Sequence, residues 1–225
     1  MPKWVKKSKM RGFTLVEMLI AFAVLGILGV AMTNFFATQV RNMKAQNQIV
    51  DMQQKLRAGI GMFEREMRMA GYKNPDRSYG NKPTIVSADS NSVYFTQDLN
   101  GDGDLNDENE HVAFCVYDSA FGLTQGASNS VQNFATHSHE PIFLDLEDLQ
   151  LYYTMADGTK ITSPGIPGDI RSIEIALLVR SQTSDQNYLD TRVYQKPSGG
   201  NWGPYNDAYR RQLLTSTVLC RNMGL

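Results

Sequence analysis

The 225-residue sequence predicts an α+β protein in which one long N-terminal helix precedes a C-terminal domain built mainly of antiparallel strands. Three observations predict it. No proline lies between Pro2 and Pro75, residues 18–32 are all apolar or glycine, and past Tyr72 short β-prone runs alternate with Gly, Asn, Asp and Ser clusters. A long helix requires the first, the second is too long for a strand, and the third marks strands and turns.

Composition sets the outer limits. With 42% hydrophobic and 20% charged residues the chain is of the folded kind, and a formal net charge of −1 offers no basic surplus for nucleic acid, which is not an expected partner. The charge is unevenly placed. The first twelve residues, MPKWVKKSKMRG, take five of the 22 basic residues and no acid, leaving 17 basic against 23 acidic in the rest.

The apolar segment from Phe13 to Phe36 counts 24 residues, interrupted only by Thr14, Glu17, Thr33 and Asn34. As a helix it reaches roughly 36 Å, enough for a bilayer core of about 30 Å. A secretory signal places its small residue after the apolar segment, whereas Gly12 precedes this one. Five cations before the segment and none immediately after it put the amino terminus in the cytoplasm and the bulk of the chain across the membrane. Glu17 then lies one helical turn inside apolar surroundings and needs a partner. The available cation is an amino terminus, its own or that of an adjacent subunit, and snorkelling to the headgroups is the alternative.

Beyond the membrane segment the apolar positions Ile49, Met52, Leu56, Ile60, Phe63, Met67 and Ala70 recur three and four apart, drawing one stripe along a helix. Asp51 with Lys55 and Glu64 with Arg68 read as solvated i,i+4 pairs, and Gly71 followed by Pro75 ends the helix. The expected organisation is a basic leader over 1–12, a helix over 13–70 that spans the membrane at about 13–36, and a β-rich domain over 71–225. A short coiled coil is the competing reading of the stripe.

The run Gly12-Phe13-Thr14-Leu15-Val16-Glu17, behind a basic leader and ahead of the apolar segment, resembles the class III signal of type IV prepilins and pseudopilins. The resemblance implies a pilin-like fold, cleavage by a prepilin peptidase after Gly12, N-methylation of Phe13, and a filament-assembly role for Glu17. It further implies a non-catalytic subunit held first in the inner membrane, its globular domain periplasmic, then extracted by a pilus assembly platform into a cell-surface filament, with major and minor pilins as partners through a helix bundle. The strands Arg171–Arg180 and Arg210–Asn222 are similar to those of PilW-type minor pilins, related to J-type pseudopilins of type II secretion. Asn34 stands where many major pilins carry a kink-forming proline. A membrane-tethered, calcium-dependent adhesin is the rival from another class; no nucleophile and base form a recognisable catalytic motif.

In the C-terminal part, strands are expected at 84–87, 92–97, 111–117, 149–155, 171–180, 188–194 and 211–220, with Asp157-Gly158 turning a hairpin into 160–162. Cys115 and Cys220 both fall in expected strands, where a disulfide and two buried thiols are both open. The segment Asp98-Leu-Asn100-Gly-Asp102-Gly103-Asp104-Leu-Asn106-Asp107-Glu108-Asn109-Glu110 carries six carboxylates and no cation, and it fits D-x-[DN]-x-[DN]-G. Such spacing converges oxygens on calcium, with Asp98, Asn100, Asp102 and Asp104 leading, Asn106 next, and Glu108 or Glu110 substituting where Asn109 occupies the twelfth place. A solvated acidic β-loop is the alternative. His137-Ser138-His139-Glu140 reads as a polar loop more readily than a metal site, and Trp202 with Tyr205 as a loop folded onto its own domain.

Overall fold

The computed structural model describes residues 12–128 and 140–224. One helix, α1, runs Leu15–Met69. Eleven strands follow among the described residues: β1 Ile85–Ala88, β2 Ser92–Thr96, β3 His111–Tyr117, β4 Ala120–Gly126, β5 Glu140–Phe143, β6 Leu146–Met155, β7 Lys160–Ile161, β8 Ile170–Arg180, β9 Tyr194–Gln195, β10 Asn201–Trp202 and β11 Arg211–Leu219. The chain forms two compact units, one ending at Gln46 and the other beginning at Asn47.

In the first unit every described residue up to Lys44 is exposed, its apolar side chains included. The helix is long and apolar enough to cross a membrane. Two of its hydroxyls bond within the helix: that of Thr33 donates to the Val30 carbonyl at 2.9 Å and that of Thr38 to the Asn34 carbonyl at 2.9 Å.

The second unit has two antiparallel sheets, β1-β2-β3-β4-β5 and β11-β8-β6-β7, and a small β10-β9 pair. The C-terminal half of α1 supplies the expected stripe: Met52, Leu56, Ile60, Phe63 and Met67 are buried in one core with Phe95, Phe114 and Phe121 from the first sheet and Leu151, Ile175 and Leu177 from the second. Phe63 meets Phe114 edge-on at 5.1 Å. Gly59 is required by this packing, because a Cβ there would collide with the Phe143 ring. Gly71 takes φ 74° and ends the helix, its N–H donating to the Thr96 carbonyl at 3.0 Å.

Strand β8 is apolar on both faces for a reason. Ile173, Ile175, Leu177 and Val179 face the helix-side core, while Ala176 and Leu178 are covered by Tyr194 and Trp202 from the β9–β10 layer. The segment from Gln182 to Arg210 folds back over the outer face of its own sheet to build that layer, so Trp202 is 5% exposed, as the reading of a loop folded onto its own domain expects.

Three expectations are corrected. The segment 188–194 is not a strand; only Tyr194 pairs, because the preceding residues spend their polar groups on a side-chain network instead of a ladder. β4 was absent from the expected strands since Gly122 and Gly126 lower its propensity, yet its full register with β3 is imposed by the tight turn at Asp118 and Ser119, both at positive φ. The Asp51–Lys55 pair is not merely a solvated flank. Lys55 also bonds Asp145 at 2.8 Å, and the Glu64 carboxylate accepts from the Ser216 hydroxyl at 2.5 Å, so both pairs tie the helix to the second sheet.

Candidate functional sites: the helix head, the acidic loop and the Arg211 network

Thr14 caps α1. Its hydroxyl oxygen accepts from the Glu17 N–H at 3.2 Å, and the Glu17 Oε2 accepts from the Thr14 N–H at 2.8 Å and the Thr14 hydroxyl at 2.9 Å. This reciprocal pair is a capping box, encoded by Thr-x-x-Glu at the head of the helix. Glu17 therefore has a partner within its own chain, Thr14, besides any cation, and the Thr-x-x-Glu spacing encodes it. The box occupies only one carboxylate oxygen, and Oε1 has no partner among the described residues. Gly12 has open space around its Cα, and Phe13 is 88% exposed.

The acidic loop joins β2 to β3 and divides into a buried frame and an exposed trio. Asp98 is fully buried, accepting from the Gly101 N–H at 2.6 Å, the Gly103 N–H at 3.2 Å and the Tyr79 hydroxyl. Glu110, also fully buried, accepts from the N–H groups of Leu99 and Asp107 at 3.1 Å each. Burial comes first among the influences on Glu110 and pushes its pKa up. These two expected ligands thus spend their oxygens on the loop's own backbone and, for Asp98, on the Tyr79 hydroxyl as well. Asn100, Asp102 and Asp104 each accept from the N–H two residues on, at 2.9, 3.0 and 2.9 Å, which winds the loop with Gly101 and Gly103 at positive φ.

Asp102, Asp104 and Asp107 bring carboxylate oxygens within 4.8 Å of one another on the exposed side. Asp107 was outside the expected set. Of that set Asn106 donates its N–H to Asp104, Glu108 is exposed, and Asn100 donates its amide to Asp102 at 3.0 Å and Asp107 at 2.6 Å. The Asp102 carboxyl is held below the usual range, first by the Asp104 N–H, then by Asn100 and with help from the Arg77 charge. Distant in sequence, Arg77 packs against Gly103 and supplies a cation that the loop itself lacks. The exposed donors are all hard oxygens, which is calcium chemistry.

No disulfide joins Cys115 and Cys220; both thiols are buried. Parity separates them. Phe114 faces the core shared with Cys220, whereas Cys115 alternates onto the other face of β3, with Ala113. Burial pushes the Cys115 thiol up to about 11 and that of Cys220 up to about 12. His137, Ser138 and His139 lie outside the described residues; Glu140 is exposed in β5.

A further polar constellation, larger than the acidic trio, corresponds to no local sequence motif. Arg211 opens β11 with its side chain 1% exposed, forking onto Asp207 at 2.7 and 2.8 Å, reaching Asp190 and Glu147 at 3.3 Å each, and stacking on Tyr205 at 3.8 Å. Asp190, itself fully buried, also accepts from Arg192 Nε at 3.1 Å and the Tyr194 hydroxyl at 2.8 Å. Beside it Arg210 bonds Asp185 at 2.7 Å and stacks on Tyr188 at 4.2 Å. Burial opposes ionisation of Asp190, but the Tyr194 hydroxyl and Arg192 outweigh it and its pKa falls; Arg211 lowers that of Asp207, and Arg210 that of Asp185. The only signal was the recurrence of Asp, Tyr and Arg through 185–211, scattered without a local spacing rule.

Comparison with known proteins bears on the helix head and the fold. Residues 7–33 match the family model described as the prokaryotic N-terminal methylation motif. No curated protein matches the chain by sequence. Among solved structures, a type IV-like pilin from Thermus thermophilus superposes with a TM-score of 0.50 at 12% identity, covering 77% of this chain and 98% of that one. An N-terminal methylation motif of the prokaryotic prepilin type therefore heads a chain with the fold of a type IV-like pilin.

Proposed function

We propose that this protein is a minor pilin: a non-catalytic filament subunit, made as a prepilin, cut after Gly12, methylated on Phe13 and involved in priming or assembling a type IV pilus. The observation that carries the reading is the helix head, where a methylation motif, an apolar helix exposed all round and a half-engaged Glu17 coincide. In a bundle of such helices the remaining Glu17 oxygen takes the Phe13 ammonium of a neighbouring subunit, which neutralises both charges away from water. Before assembly the helix holds the subunit in the inner membrane, leader on the cytoplasmic side and globular domain in the periplasm.

Intact-mass and N-terminal analysis of the mature protein tests this directly. A chain beginning at methylated Phe13 supports it, and an intact Met1 refutes it. Glu17→Ala should be processed normally yet enter filaments far less; entry at the wild-type level removes the ion pair from the mechanism. The likeness of the Arg171–Arg180 and Arg210–Asn222 strands to PilW-type pilins favours a pilus over a secretion apparatus, and co-isolation with secretion components would make the chain a J-type pseudopilin.

The acidic loop is proposed to take calcium through Asp102, Asp104 and Asp107, with Asn100 beside them. Calcium added to the purified protein should raise its melting temperature, the rise growing with the logarithm of calcium concentration above the dissociation constant. An unchanged melting temperature at millimolar calcium, or an equal rise in Asp104→Asn, refutes that site.

A further inference from the structure

Of the four terminal strands of the two main sheets, three are blunted. β1 has four residues and a register shift, β5 has four with Pro141 and a shift against β4, and β7 has two. β11 has nine residues, pairs only with β8, and keeps its register without a shift from Arg211 opposite Arg180 to Leu219 opposite Ser172. From Gln212 to Leu219 it contains no charge, proline or glycine. Natural edges are normally protected by shortness, charge, proline or a bulge, and β11 past Arg211 has none of these.

The free groups follow from the register. The Ser181 N–H donates to the Arg210 carbonyl at 2.8 Å and the Cys220 N–H to the Arg171 carbonyl at 2.9 Å. Residues that exchange bonds with the partner alternate with residues facing away. Even-numbered positions of β11 therefore face β8, and the N–H and C=O groups of Leu213, Thr215, Thr217 and Leu219 face outward. Arg211, one step earlier in the same series, confirms the parity: its carbonyl accepts from Arg192 at 2.8 Å, and that guanidinium closes this end of the row. Thr215, Thr217 and Leu219 are exposed.

We propose that this edge is the docking surface for an extended, uncharged strand of a different filament subunit, which lengthens the second sheet by β-augmentation. The choice of a different subunit rests on the filament reading, in which subunits point the same way. Two copies pairing antiparallel through β11 are related by a twofold normal to the sheet, and that operation reverses the helix packed on the sheet. A like-oriented copy has to offer another edge, and its own are two to four residues long. The partner strand instead supplies about eight backbone bonds to the four outward residues. Apolar side chains suit the places beside Leu213 and Leu219, and hydroxyl-bearing or β-branched ones the places beside Thr215 and Thr217.

The probe is a peptide with the sequence of residues 212–219, whose apolar-Thr-Ser-Thr-apolar order complements the edge in the antiparallel sense. Titrated into full-length protein in detergent micelles, it should bind saturably. Thr217→Pro removes an outward N–H that β8 does not use, so peptide binding should weaken at least tenfold at an unchanged melting temperature. Val218→Pro, which removes an N–H facing β8, should lower the melting temperature. No saturable binding, or equal binding to Thr217→Pro, overturns the proposal. In cells, Thr217→Pro should be processed normally and incorporated severalfold less; equal incorporation overturns the docking role. Wild-type protein that dimerises alone and loses the dimer in Thr217→Pro overturns the assignment to a different subunit. Peptide binding by a protein that never enters filaments refutes the filament reading and, with it, the assignment of the partner.

Discussion

Replacing Asp190 with Asn tests whether the Arg211 network holds the 182–210 segment on its sheet. Asp190 is fully buried and receives Arg211 Nη1 at 3.3 Å, Arg192 Nε at 3.1 Å, the Arg192 N–H at 3.3 Å, and the hydroxyls of Tyr188 and Tyr194 at 3.2 and 2.8 Å. Asparagine keeps the shape but offers one acceptor oxygen for two, turns a donor toward donors, and removes the charge. Breaking a buried ion pair costs about 3–5 kcal/mol. Arg211 retains the Asp207 fork and Glu147, so the lower end, about 3 kcal/mol, applies. For a domain of this size that is a fall of roughly 6–12 °C in melting temperature. Urea denaturation followed by Trp202 fluorescence measures it, since Trp202 sits in the layer that the network anchors. A loss below about 1 kcal/mol would mean that Asp207 and Glu147 suffice and that Asp190 is not the keystone of the segment.

The same carboxylates set an acid limit. Asp185, Asp190 and Asp207 have lowered pKa values, so their contribution is complete above the unfolded carboxylate value near 3.9 and is lost as pH falls through the lower folded values. Stability should hold steady with respect to these groups from pH 8 to 5 and fall below about pH 4; a loss already complete at pH 5 contradicts the assignment. Gly59→Ala should cost about 1–3 kcal/mol by driving a methyl into Phe143, and the double variant with Phe143→Leu should recover part of it. Denatured, unreduced protein should titrate two thiols, whereas the folded protein should label slowly at pH 8 because burial raises both pKa values. Recovery of no thiol on denaturation would establish the bridge that the strand parity opposes.

The helix was legible in the sequence because its causes are local: an absence of proline, a continuous apolar run, then a stripe at three and four spacing whose residues Met52, Leu56, Ile60, Phe63 and Met67 are all buried. The cap was equally legible in Thr14 and Glu17. The hairpin at Asp157-Gly158 and the strands with strong apolar patterning, such as Ile170–Arg180, read correctly for the same reason. β4 did not, since its pairing with β3 outweighs the weak propensity of its glycines.

Sequence by itself thus determined the elements whose energy comes from neighbours within one turn or one strand, together with the methylation motif at the helix head. Only the tertiary structure decided which acids of the 98–110 loop turn inward and which meet outside, that Cys115 and Cys220 face opposite sides, that Arg211 gathers Asp190, Asp207 and Glu147, and that β11 ends its sheet, paired with β8 alone among the described strands. Each depends on which face of which strand meets another far along the chain, and burial, which decides whether a charge is tolerated or an edge is open, arises only once those faces have met.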